Sequence, residues 1–182
     1  HDLMHAASLK YCKRKMWPAA DASGKTVGRI CAMINPRYNE KYGTRRVRFG
    51  WFDLIDDVEV ARALFDAAES WAKEEGMDEI HGPLYYNTLG RQGMLIEGFD
   101  KLAPFSCLYN HPYYADLVQQ LGFEKECDWI QYMMPADQGV DPRLKVISDR
   151  LMSRYNLHVA DFDALKKDRN MVRRFFRTYN EC

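Results

Sequence analysis

The folds open to this chain are limited most by one segment, residues 57–76, which has strand-like sequence on both sides. Val60, Ala61, Leu64, Ala67, Ala68, Trp71 and Ala72 recur at three- and four-residue spacing, which sets them along one side of a helix. Asp56 and Glu59 have the D-x-x-E spacing of a capping box, and Gly76 stands where a helix terminator belongs. Upstream, Thr26–Asn35 alternates β-formers after the turn signal Asp21-Ala-Ser-Gly24, and Arg45–Asp53 alternates again, so the two are expected to pair antiparallel across a polar loop, Pro36–Gly43. Downstream, Met77–Pro83 reads as a short strand. Strand, helix, strand calls for a right-handed crossover, which sets the strands around Phe49 and Ile80 parallel with the Asp57–Glu75 helix between them. The expected class is α/β (α+β), a mixed, mostly antiparallel sheet with flanking helices.

Leu84–Asn110 is dense in Gly, Tyr, Asn and Pro and has no regular period; a loop this long inside a compact domain is usually functional. It is expected to fold over a gap in the sheet near Phe52, His81 and Tyr113 and so form a pocket. Pro112 opens a helix over Tyr113–Leu121 that Gly122 ends, and Lys125–Met134 alternates as a last strand. Residues 1–134 therefore read as one domain, 135–142 as a linker, and 143–182 as a helical tail that either starts a further domain or packs back. The chain opens on His1 without a signal-peptide pattern, and the expectation is a segment of a longer protein.

Composition narrows the function classes. With 182 residues, 47% hydrophobic, the chain can fill one core, and 26 basic against 26 acidic side chains argue against a protein that grips nucleic acid through bulk charge. The zero sum hides a polarised layout: residues 1–50 carry 11 basic and 3 acidic side chains, residues 51–100 carry 3 and 12. These read either as strand-to-strand charge pairing or as a basic groove for a phosphorylated cofactor. No apolar run approaches the roughly 18 residues of a membrane span, so no membrane partner is expected. Five scattered cysteines without a C-x-x-C pair suit a reducing cytoplasm. His1 and His5 have helical metal-pair spacing but no third ligand nearby, so no metal is expected; a free Cys107 defaults to burial.

The order β, β, helix with a Gly stop, β, loop, helix ending Leu121-Gly122-Phe123, β resembles the GCN5-related N-acetyltransferase (GNAT) superfamily over about residues 20–134. The runs Val27-Gly28-Arg29-Ile30, Phe49-Gly50-Trp51-Phe52, Gly82-Pro83, Glu97-Gly98-Phe99-Asp100 and Tyr109-Asn110-His111-Pro112-Tyr113-Tyr114 are similar to an uncharacterised bacterial GNAT-like family of about twice this length. The resemblance implies an acyl-CoA N-acyltransferase fold, with acetyl-CoA or another acyl-CoA in a gap between the two parallel strands and transfer to a small-molecule or peptide amine. Cofactor contacts then fall to Phe52, Asp53, Leu54 and Asn110. Tyr113 or Tyr114 becomes the candidate acid, because the position where many members carry a Tyr is Val118 here, and His81 or Glu97 becomes the candidate base that takes the amine's proton.

The stretch Asp53-Leu-Ile-Asp-Asp-Val-Glu59 departs from the glycine-rich phosphate loop of the superfamily, since it has no glycine and four carboxylates. Unit charges about 4 Å apart at an effective dielectric of about 20 interact by about 4 kcal/mol, so the usual pyrophosphate cradle is expected to be absent. Two readings stay open: an acyltransferase, and a catalytically inactive GNAT-fold binding module that pairs with a second such domain in a longer protein.

Overall fold

The computed structural model describes residues 7–87, 90–103, 107–133, 135, 139 and 141–181, so His1 and His5 lie outside the described residues. The chain divides into two compact units, residues 1–129 and 130–182.

In the first unit, β1 (Lys13–Ala20), β2 (Thr26–Ile34), β3 (Arg46–Leu54) and β4 (Glu79–His81) form one sheet in that order. β1 and β2 pair antiparallel, as do β2 and β3, whereas β3 and β4 run parallel through Arg46↔Glu79, Val47↔Ile80 and Arg48↔His81. The protein is thus a mixed α/β fold with the expected parallel pair, and α2 (Val58–Glu74) makes the crossover. Its N-cap is Asp57 rather than the expected Asp56: Asp57 Oδ1 accepts the Glu59 and Val60 N–H groups at 2.8 and 3.4 Å. At the other end Gly76 takes φ +76°, and the Gly76 and Met77 N–H groups donate to the Lys73 and Ala72 carbonyls at 3.0 and 2.9 Å, the paired bonds of a Schellman motif.

Two expectations from sequence are corrected. Pro36–Gly43 is not a loop; α1 (Pro36–Tyr42) fills it, capped by Asn35, whose side chain accepts the Tyr38 N–H at 3.1 Å, and closed by Gly43 at φ +63°. Nor are the described residues of Lys125–Met134 a strand: they run exposed, because β4 is too short to offer a ladder. β1, which the sequence reading lacks, is an edge strand carrying Pro18.

The core lies between the sheet and α2. Ala61, Leu64, Phe65, Ala68, Trp71 and Ala72 of α2 meet Ile30, Ala32, Ile34, Val47, Phe49, Phe52 and Leu54 of the sheet, and Phe49 packs edge-on against Phe65 with centroids 5.0 Å apart. Phe49 and Phe52 are three apart, so a regular strand would send them to opposite faces. A bulge resolves this: Cys31 pairs with Gly50 and Arg29 with Asp53, which gives β3 one residue more than β2, and Trp51 takes φ +45°. Both phenylalanines then face the core while Trp51 packs on the opposite face beside Tyr86. The opposite charges of the two sequence halves are spent across elements, in Lys13–Glu75, Arg29–Asp53, Arg45–Asp78 and Arg46–Glu79.

After β4, α3 (Tyr113–Gln120) closes on Gly122 at φ +89°, and Phe123 turns back onto Phe65 and Phe49. The second unit carries α4 (Pro142–Arg154), α5 (Phe162–Lys167) and α6 (Arg169–Glu181). No helix of the described residues is long and apolar enough to cross a membrane.

Candidate functional site

The parallel pairing of β3 with β4 stops after three residues. Past it, Leu84 N–H donates to the Phe49 carbonyl at 2.7 Å and the chain leaves the sheet, while β3 continues to Leu54. That crossing has no room for side chains: a Cβ on Gly82 would meet the Phe49 carbonyl oxygen at 2.5 Å, and one on Gly50 the Leu84 carbonyl oxygen at 2.6 Å.

Beyond the crossing lies a cleft of about 390 Å³. It is lined by Arg29 of β2, Trp51, Phe52 and Asp53 of β3, Tyr114 of α3, and Tyr85, Arg91, Cys107 and Asn110 of the 84–110 segment. The bulge shapes this lining, since the reversal at Trp51 lays its indole flat on Tyr85 with centroids 3.8 Å apart and planes 7° from parallel. At the rim Arg29 Nε donates to Asp53 Oδ2 at 2.6 Å. Asp53 is the only carboxylate lining the cleft among the described residues.

α3 is fastened to the end of β3 by two phenols. Tyr113 OH donates to the Leu54 carbonyl at 2.8 Å, and Tyr114 OH accepts the Leu54 N–H at 3.2 Å. Tyr113 thereby commits its proton, whereas Tyr114 keeps its own for another partner. Burial pushes both phenols above the usual tyrosine range, so each is protonated at neutral pH.

Of the residues expected from sequence, the cleft brings together Phe52, Asp53, Asn110 and Tyr114. Leu54 turns its side chain into the core, and its backbone groups are held by the phenols. Asn110 lines the cleft but spends its amide on structure, accepting the Leu95 N–H at 2.7 Å and donating to the Leu95 and His111 carbonyls. Tyr113, His81 and Glu97 do not line it. His81 ends β4 on the sheet face away from the core and pairs with Glu126, which also reaches Arg46; burial pushes its imidazole below the usual range against the opposing pull of Glu126. Glu97 is exposed. Arg48 lies buried over the Tyr38 ring at 4.4 Å and donates to the Tyr85 and Tyr86 carbonyls, so its charge is spent on structure. Arg29, Trp51, Tyr85, Arg91 and Cys107 are cleft residues that the sequence reading misses; three aromatics around Gly50 breaking the alternation of β3 are the signal that marks Trp51.

Over 166 residues the chain is 34% identical to Protein YghO of Escherichia coli (strain K12), an alignment covering 90% of this chain and 43% of that protein. Over 126 residues it is 33% identical to the bacterial ceramide synthase of Caulobacter vibrioides (strain NA1000 / CB15N), covering 67% and 32%. The chain thus spans less than half the length of these curated relatives. No family model matches it, and no solved structure does.

Proposed function

We propose that the first unit is a GNAT-type acyltransferase domain whose cleft joins an acyl group to the nitrogen of an amine. The observation that carries this reading is the position of the cleft, at the end of β3 just past a three-residue parallel pairing and beside a buried tyrosine hydroxyl. The GNAT resemblance implies acyl transfer at such a gap. The relative named for ceramide synthesis supports the same class, ceramide being the amide of an acyl group and a long-chain amine, and it favours a long-chain amine as acceptor.

In this reading the amine nitrogen bonds to the acyl carbonyl carbon as the bond to the donor's leaving group breaks. Asp53 takes the amine's proton and Tyr114 gives its phenolic proton to the leaving group. Trp51, Phe52 and Tyr85 supply apolar walls that exclude water from the acyl group.

The start of α2 does not fit the pyrophosphate of coenzyme A. Asp57 already occupies the Glu59 and Val60 N–H groups, and Asp56 beside it adds a further negative charge in the chain. An acyl-CoA donor would have to place its phosphates elsewhere. The same feature favours the second reading, a binding module without catalysis.

The test is incubation of the protein, at the full length in which it occurs, with short- and long-chain acyl-CoA and a long-chain amine, with the amide read by mass spectrometry. Amide formation that Tyr114→Phe lowers by roughly 10² to 10⁴ is expected. No amide from any donor, together with no thermal stabilisation by millimolar acyl-CoA, would leave the binding module as the function.

A further inference from the structure

α6 in the second unit is the most one-sided helix of the chain. Winding at about 100° per residue, it gathers Met171, Val172, Phe175, Phe176 and Tyr179 within an arc of about 140° and sets Arg169, Arg173, Arg174 and Arg177 in an arc of similar width opposite. Glu181, at its end, is its one acid. None of its residues is buried, and Phe175, Phe176 and Tyr179 leave 54%, 47% and 45% of their surface to solvent. Lys166 and Lys167 close α5 just before it. Among the described residues none of its four arginines is in an ion pair, although acids elsewhere in the second unit pair within their own helices or turns.

The apolar arc alone would suit a protein core, and the basic arc alone would suit any polyanion. Together, on a helix of low mean hydropathy, they match the boundary of an anionic bilayer, with aromatic rings at the level of the upper acyl chains and guanidinium groups among the phosphates. We infer that α6 is an interfacial anchor that lies in the plane of an anionic phospholipid surface. Its 13 residues reach about 20 Å, short of the roughly 30 Å of a hydrocarbon core, so the helix rests on the membrane and does not span it. The inference goes beyond acyl transfer and stands without it.

The intact protein is floated with vesicles of phosphatidylcholine alone and with roughly 30% phosphatidylglycerol. Binding is expected only to the anionic vesicles and is lost at about 0.5 M salt. The double variant Arg173→Gln/Arg177→Gln should lower partitioning about tenfold or more. Phe175→Ser/Phe176→Ser should abolish it with an unchanged melting curve. The inference is overturned if the wild-type protein ignores anionic vesicles, or if the arginine variant binds as well as the wild type. It is overturned equally if the phenylalanine variant melts early while the arginine variant keeps full binding, since the apolar face is then an internal contact.

Discussion

Removing the two phenols one at a time separates fastening from chemistry. Tyr113→Phe deletes a hydroxyl that donates to the Leu54 carbonyl at 2.8 Å from a half-buried position, an ordinary hydrogen bond of about 0.5–1.5 kcal/mol. Tyr114→Phe keeps the ring, which packs edge-on against Phe52 at 5.7 Å, but leaves the Leu54 N–H without the acceptor it has at 3.2 Å in a buried setting. An orphaned buried donor costs about 1–3 kcal/mol. At about 2–4 °C per kcal/mol for a chain of this size, Tyr114→Phe should lower the melting temperature by roughly 2–12 °C and Tyr113→Phe by about half of that. Turnover should divide more sharply, since Tyr114 faces the cleft with an uncommitted proton and Tyr113 does not line it. Tyr114→Phe is expected to lose roughly 10² to 10⁴ in rate with substrate binding retained, and Tyr113→Phe to stay within a few-fold of wild type. Scanning calorimetry and initial rates on the same preparations decide it. Equal loss of activity in both variants, or full activity in Tyr114→Phe, would refute the assignment of the acid.

Three further outcomes follow from the geometry. Gly82→Ala places a Cβ 2.5 Å from the Phe49 carbonyl oxygen and 2.6 Å from its ring, so thermal unfolding should show a loss of about 1–3 kcal/mol. Leu64→Ala empties a site 2% exposed between α2 and the sheet and should cost about 2–5 kcal/mol in urea titration, with the slope unchanged. Burial pushes the Cys31 thiol from 9.0 up to about 11, so the native state holds a proton that the unfolded chain releases first. That contribution to stability is complete below pH 9 and fades as pH rises through 11, and a thiol reagent at pH 8 should label exposed Cys127 well before Cys31.

The crossover was readable because its signals are local and mutually consistent: the apolar stripe of α2, Gly76 beyond its end and β-formers on both sides leave one topology. β1 was not readable, since Lys13-Arg-Lys-Met-Trp-Pro-Ala-Ala20 is basic and contains Pro18, and it becomes a strand only because β2 supplies the ladder and Trp17 meets Trp71 across 6.0 Å. α1 hid for a different reason. None of its residues is buried, so no apolar period exists to detect, although Asn35, Pro36 and Gly43 are the cap, first-turn and stop residues of a short helix. The described residues of Lys125–Met134 show the converse, an alternation that specifies a strand only where an edge can receive it. Within the cleft, Phe52, Asp53, Asn110 and Tyr114 could be named from sequence because the GNAT resemblance points to a gap beside the end of β3 and the start of α3. Arg29 and Tyr85 could not, because a bulge at Trp51 and the close approach of Gly50 to Leu84 bring them there.

The central claim is that the acyl group is handled at the end of β3. The most direct measurement is a crystal structure of the protein with a non-hydrolysable thioether analogue of a long-chain acyl donor. The account predicts the acyl chain against Trp51, Phe52 and Tyr85, with the thioether sulfur, which stands for the leaving group, within hydrogen-bonding reach of Tyr114. An acyl chain bound elsewhere on the protein, with this cleft holding only water, would contradict it.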